Sequence, residues 1–117
     1  MNELKERLER MRTELRGELA SDIATLSRDV DEKGEDTTPS QHPADVASDL
    51  YAREELVVEE ISLRRQLSLV DDALARMRDG TYGTCVDCGK PIAPERLEAV
   101  PEAARCIDCQ RRADRGR

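Results

Sequence analysis

Residues 80–109 read GTYGTCVDCGKPIAPERLEAVPEAARCIDC, and every cysteine of the chain lies within them. Cys85 and Cys88 form one Cys-x2-Cys pair, Cys106 and Cys109 a second, with residues 89–105 between the pairs. Each such pair wraps a tight knuckle, so two pairs supply four thiolates to a tetrahedral Zn2+. Gly89 follows the first pair, where a knuckle turn needs positive φ. A structural zinc site contributes roughly 10–16 kcal/mol of apparent folding free energy, which replaces a core too small to fold unaided. Four protein ligands leave no coordination position for a water, so metal-assisted hydrolysis is excluded. A redox dithiol pair or an iron–sulfur cluster are the alternative uses of the same spacing.

The rest of the chain cannot build a thick core. Of 117 residues, 38% are charged and 38% hydrophobic, with two Tyr, no Phe and no Trp. Such a composition, rich in Glu, Arg, Leu and Ala, belongs to long helices and coiled coils. The start is charged at once, and no apolar run nears the roughly 20 residues of a membrane span. The expected location is cytoplasmic, where cysteines serve as metal ligands more often than as disulfides.

Two helical stripes precede the cysteines. The first holds Leu4, Leu8, Met11, Leu15, Leu19, Ile23, Leu26 and Val30 and stops at Gly34. Asp36-Thr-Thr-Pro-Ser40 cannot continue a helix. The second holds Val46, Leu50, Val57, Ile61 (with Leu63), Leu67, Val70, Leu74 and Met77. Pro43 suits its first turn and Gly80 its C-terminal cap. The pattern predicts a mainly α fold: a long antiparallel helical hairpin over 1–79 with a tip loop at about 34–43, then a four-cysteine zinc module with a short C-terminal helix over 80–117. A turn centred near residue 38 pairs Val30 with Val46, Leu26 with Leu50, Leu19 with Val57, Leu15 with Ile61, Leu8 with Leu67 and Leu4 with Val70. A parallel dimeric coiled coil is the competing arrangement. Helices of about 30 and 35 residues imply a rod roughly 45–50 Å long. Leu74 and Met77 extend past the first helix and are expected to pack on the segment C-terminal to the hairpin.

The net charge of −7 sits in the middle: residues 34–60 carry eight acids against Arg53 alone, and the remaining segments cancel. That sign opposes phosphate-backbone binding and suits a basic or metal-bearing partner. The zinc segment offers one aromatic, Tyr82, for base stacking. Arg111, Arg112, Arg115 and Arg117 suit a solvated helix end. The only histidine, His42, stands at the start of the acidic segment in QHPADVASD, residues 41–49. It has no cysteine or second histidine nearby, which leaves a loop or capping residue, or a contact at the tip. No nucleophile–base pair or open metal position points to catalysis.

The run Gly80-x-Tyr82-Gly83-x-Cys85-x2-Cys88-Gly89, Ile92, Arg96-Leu97-x-Ala99-x-Pro101, Ala103, Cys106-x2-Cys109 resembles the DksA/TraR family of bacterial transcription factors. The likeness is detailed over about 30 residues, and the hairpin extends it by architecture. The resemblance implies a monomer that binds RNA polymerase directly, without specific DNA binding, and enters its secondary channel with the coiled-coil tip. The family's tip motif is Asp-x-x-Asp-x-Ala. Counted back from Cys85 without gaps, its second Asp falls on Asp45 and its Ala on Ala47, while His42 occupies the first position. Asp49, one turn later, is a further candidate, so the tip set is His42, Asp45, Ala47 and Asp49. The family's best-known branch uses basic residues to bind the alarmone ppGpp. Leu69, Val100 and Gln110 stand at those positions here, so no ppGpp site is expected. A zinc-finger DNA-binding regulator and a redox or zinc-responsive sensor that uses the cysteine pairs are the alternative functions.

Overall fold

The computed structural model describes residues 2–35 and 43–116, the side chains of 29–35 and 43–45 excepted. Four helices run in the order α1 (Asn2–Glu35), α2 (Pro43–Asp79), α3 (Pro94–Ala99) and α4 (Ile107–Arg115). Among the described residues there is no strand, only an isolated antiparallel bridge between Thr84 and Pro91. The fold is mainly α, a long helical hairpin followed by a small cysteine module and a short C-terminal helix, as the periodicity predicts. Pro43 is the first residue of α2, where its missing N–H costs nothing. α1 runs through Gly34 to Glu35, slightly past the expected stop.

The end of α2 is the expected glycine cap. Gly80 has φ 78° and its N–H bonds to the Met77 carbonyl at 3.4 Å, while the Thr81 N–H bonds to the Arg76 carbonyl at 2.9 Å. This pair of bonds is a Schellman motif, and it closes carbonyls that the helix leaves open.

Packing divides the chain into two compact units, one of residues 1–14 with 66–117 and one of residues 15–65. The start of α1 and the end of α2 therefore group with the cysteine-bearing segment. In that first unit Leu8, Val70, Ala73 and Leu74 are buried beside Tyr82, Cys85, Ile92, Leu97, Ala103 and Cys109. Leu74 thus belongs to a core shared with the cysteine-bearing segment, as its position past the first helix requires.

The distal unit, Leu15–Arg65, buries Leu15, Leu19 and Leu63. The α1 stripe is the expected one. On α2 the packed side differs from the expected pairing: Leu63 is 5% exposed, Leu56 is half-buried, and Ile61 is 49% exposed with Val57 at 40%. Counting back from Leu74 through Val70, Leu67, Leu63 and Leu56 gives alternating three- and four-residue steps, with half-buried Glu60 filling one place. A helix presents one seam of that period to a single partner. Val57 and Ile61 lie outside it, so the pairings of Leu19 with Val57 and Leu15 with Ile61 do not describe the buried seam. Periodicity located both stripes of α2 and merged them into one.

Candidate metal centre

The cysteine module is built from short turns fixed by backbone hydrogen bonds. Cys85 N–H bonds to the Lys90 carbonyl at 2.9 Å, and Gly89 N–H returns to the Cys85 carbonyl at 3.0 Å. Gly89 has φ 75°, the left-handed conformation that closes the knuckle, as expected from its place after the pair. The Ile92 N–H bonds to the Gly83 carbonyl at 2.7 Å and ties the backbone leaving the knuckle to the backbone entering it. Gly83 itself has φ 87°, and a Cβ there would meet Leu97 Cδ1 at 3.6 Å. The second pair sits on α4. Cys106 is its N-cap with extended backbone, and Cys109 lies in its first turn and is buried.

Three long side chains hold the two pairs together. Arg105 Nε donates to Asp87 Oδ2 at 2.6 Å, linking the second cysteine pair's approach to the first knuckle. Arg96 Nε donates to the Arg105 carbonyl at 2.9 Å, one residue before Cys106. Tyr82 Oη donates to the Pro101 carbonyl at 2.9 Å from a buried position. The Val86 N–H to Ala104 carbonyl bond at 2.9 Å completes the link between knuckle and loop. Arg7, from the start of α1, donates to the Glu98 carbonyl at 2.8 Å and fastens α1 to α3. The spacing of the cysteines located the ligands; it carried no sign of Asp87 or Arg105, because a contact between loops leaves no period in the sequence.

The four Sγ atoms all lie within 4.8 Å of one another, and the cysteines are free rather than disulfide-bonded. Cys88 Sγ and Cys106 Sγ are 3.9 Å apart. Tetrahedral zinc with Zn–S near 2.3 Å sets ligand sulfurs roughly 3.8 Å apart, so the cluster fits the ion with small adjustments. The thiols are electrostatically unequal. Backbone N–H groups at Cys88 and then at Cys106 stabilise the Cys85 thiolate and bring its pKa down to about 6. Cys109 is pushed up to about 12, first by its hydrogen bond with Cys106 and then by burial. The same cluster therefore holds one sulfur ready for a cation and one that gives up its proton only to a metal.

Of the expected tip residues, His42 lies outside the described residues, as does the side chain of Asp45, although Asp45 is within α2. Ala47 and Asp49 are exposed on α2. Of the residues at the family's alarmone positions, Leu69 is exposed, Val100 is half-buried, and Gln110 donates to Asp114 Oδ1 at 3.0 Å.

Residues 80–115 match the family model described as the prokaryotic dksA/traR C4-type zinc finger. YteA of Bacillus subtilis is 40% identical over 73 residues, which cover 62% of this chain and 30% of YteA. The RNA polymerase-binding transcription factor DksA of Caulobacter vibrioides is 44% identical over 52 residues, 44% of this chain and 37% of its own. General stress protein 16O of B. subtilis is 36% identical over 107 residues, 86% of this chain and 60% of its own. The chain thus spans between 30% and 60% of the length of these relatives. Among solved structures, transcription factor DksA2 from Pseudomonas aeruginosa superposes with a TM-score of 0.76 at 29% identity, covering 97% of this chain and 82% of that one. The local turns, the cysteine cluster and the helices before it thus agree with a single ancestry: the chain belongs to the DksA/TraR family of C4-type zinc-finger proteins.

Proposed function

We propose that this protein is a cytoplasmic transcription regulator that binds RNA polymerase directly and reaches into its secondary channel with the tip of the hairpin. The observation that carries the reading is the likeness to DksA2 over 97% of the chain, since it includes the helices as well as the finger. The relative from C. vibrioides is named an RNA polymerase-binding transcription factor, which supports the choice of partner. Residues 15–65 carry 13 acids against six bases, so the distal unit repels a nucleic-acid backbone and suits a channel that holds cations.

In this reading Cys85, Cys88, Cys106 and Cys109 bind one structural zinc as thiolates. The ion supplies a cross-link between the two knuckles and no chemistry on a substrate. The residues around it hold the base of the hairpin: Arg7 ties α1 to α3, and Arg76 donates to the Ala103 carbonyl at 3.4 Å from near the end of α2. Asp45, with Ala47, Asp49 and His42, forms the tip that acts inside the channel. The protein acts as a monomer, is not an enzyme, and has no site for ppGpp, because Leu69, Val100 and Gln110 offer no cation.

Core polymerase retained on immobilised wild-type protein, followed by an open-complex lifetime assay, tests this reading. The expected result is capture of polymerase by the wild type and by Asp45→Ala, with the lifetime altered by the wild type and unaltered by the variant. Failure of the wild type to capture polymerase overturns it. Calorimetry of ppGpp added to the complex is expected to give no heat attributable to this chain.

A further inference from the structure

The outward side of α2 in the distal unit is apolar and uncovered. At 3.6 residues per turn, Val46, Leu50, Val57 and Ile61 fall within about 60° of arc. Ala47, Val58 and Tyr51 continue the same face to about 140°. All seven are exposed, with Val58 at 66% and Tyr51 at 71%. The packed side, Leu56 and Leu63, points elsewhere, so neither stripe can be satisfied by the hairpin's own pairing at the expense of the other. Scattered apolar residues on a surface are ordinary; seven on one face of one helix mark a contact surface.

Within that arc, between residues 46 and 61, Glu54 is the only charged residue. It is exposed and has no ion-pair partner among the described residues. Tyr51 stands one turn before it and Val58 one turn after it, so the carboxylate lies in the middle of an apolar face. Such an arrangement accepts a partner that offers apolar side chains around a single Lys or Arg. An arginine placed there gains a charge-assisted bond to Glu54 and the face of the Tyr51 ring.

A second copy of this chain does not fit. A two-fold pair centred on this face brings Glu54 against Glu54 of the other copy, and each distal unit adds a net −7. Nucleic acid is repelled by the same charge.

We infer that the Val46–Ile61 face of α2, centred on Glu54, is a side-on docking surface for RNA polymerase, gripping an apolar surface that carries one exposed cation. This rests on the polymerase reading above. The face gives the hairpin a grip separate from the tip, so affinity and effect on transcription are carried by different residues of the same unit.

The test is the affinity of the full zinc-loaded protein for core polymerase, read by fluorescence anisotropy, with helicity and sedimentation measured on each variant. Glu54→Arg and the double substitution Val57→Ser with Val58→Ser are each expected to weaken binding at least about tenfold, as loss of a contact's central anchors does. Glu59→Arg makes the same charge change on exposed surface outside the arc and is expected to stay within about twofold. Equal weakening by Glu59→Arg would assign the effect to bulk charge and overturn the face. Wild-type binding with all variants unchanged also overturns the face and leaves the polymerase reading standing. No binding by the wild type removes both. A wild-type dimer that Val57→Ser with Val58→Ser converts to monomer assigns the face to a second copy and overturns the inference.

Discussion

Three residues of the cysteine module show how local chemistry sets its behaviour. Tyr82 is buried and donates to the Pro101 carbonyl, and burial raises its pKa above the ordinary value of 10.0, against the opposing charges of Arg76 and Arg7. A raised phenol favours the neutral form in the folded state, so its contribution is complete below pH 10 and is lost as pH rises through the folded value. Tyr82→Phe removes the hydrogen bond and leaves a buried carbonyl without its donor; the expected cost is about 1–2 kcal/mol by thermal unfolding at neutral pH. The cysteines divide the protons among them unevenly. With Cys85 at about 6 and Cys109 at about 12, the metal-free cluster at pH 7 already holds a thiolate at Cys85 and a thiol at Cys109. Zinc binding at pH 7 is therefore expected to release fewer protons than there are ligands. Calorimetry in buffers of different ionisation enthalpy counts them, and zinc affinity is expected to fall as pH drops and the thiolates are protonated.

At the scale of the element, α2 carries two apolar stripes and packs one. Leu63 lies in the buried seam of the distal unit and Ile61, of similar size, lies half outside it. Leu63→Ala is expected to cost about 2–4 kcal/mol through lost burial and an imperfectly collapsed cavity, and Ile61→Ala under about 1 kcal/mol. Urea unfolding of the two variants makes the comparison, and equal costs would place Ile61 in the core. The helix ends where it does because Gly80 adopts φ 78° and lets Thr81 and Gly80 close the last carbonyls. A Cβ at Gly80 meets nothing within 4 Å, so a substitution there acts through backbone strain alone. Gly80→Ala is expected to lower stability by about 1–2 kcal/mol without disturbing the cysteines, read as a lower Tm at unchanged zinc content. The glycine was legible from its place after Met77 and Arg78. The choice of seam was not, because Val57 and Ile61 are as apolar as Leu56 and Leu63 and fall at helical spacing too.

At the scale of the molecule, two units fold by different means. The unit of residues 1–14 with 66–117 gathers a small core of Leu8, Val70, Leu74, Tyr82, Ile92 and Leu97 around the cysteines. A core this small depends on a cross-link, so chelation of zinc is expected to unfold the cysteine module, seen as loss of amide protection from residue 80 onward. The distal unit lacks both metal ligands and a wide core. Its helices pack through Leu15, Leu19 and Leu63, with half-buried Asp22, Arg53 and Glu60 among them. An Asp22 carboxylate oxygen is buried without a partner, a polar break in a seam that is otherwise leucine. Such a break lowers stability and narrows the registers available to the pair.

Sequence by itself determined the ligand set, the glycines that turn the knuckle and cap α2, the helical hairpin and the place of its acidic charge. Each of these depends on residue type and short-range spacing, which the chain states directly. Tertiary structure alone decided three things. It chose which stripe of α2 is buried, because that depends on the neighbour across the hairpin and on continuity with Val70 and Leu74. It brought Asp87 to Arg105 and Arg7 to the Glu98 carbonyl, contacts between segments far apart in the chain. It also left the Val46–Ile61 face open around Glu54, since exposure is a property of the packing around a residue and not of the residue itself.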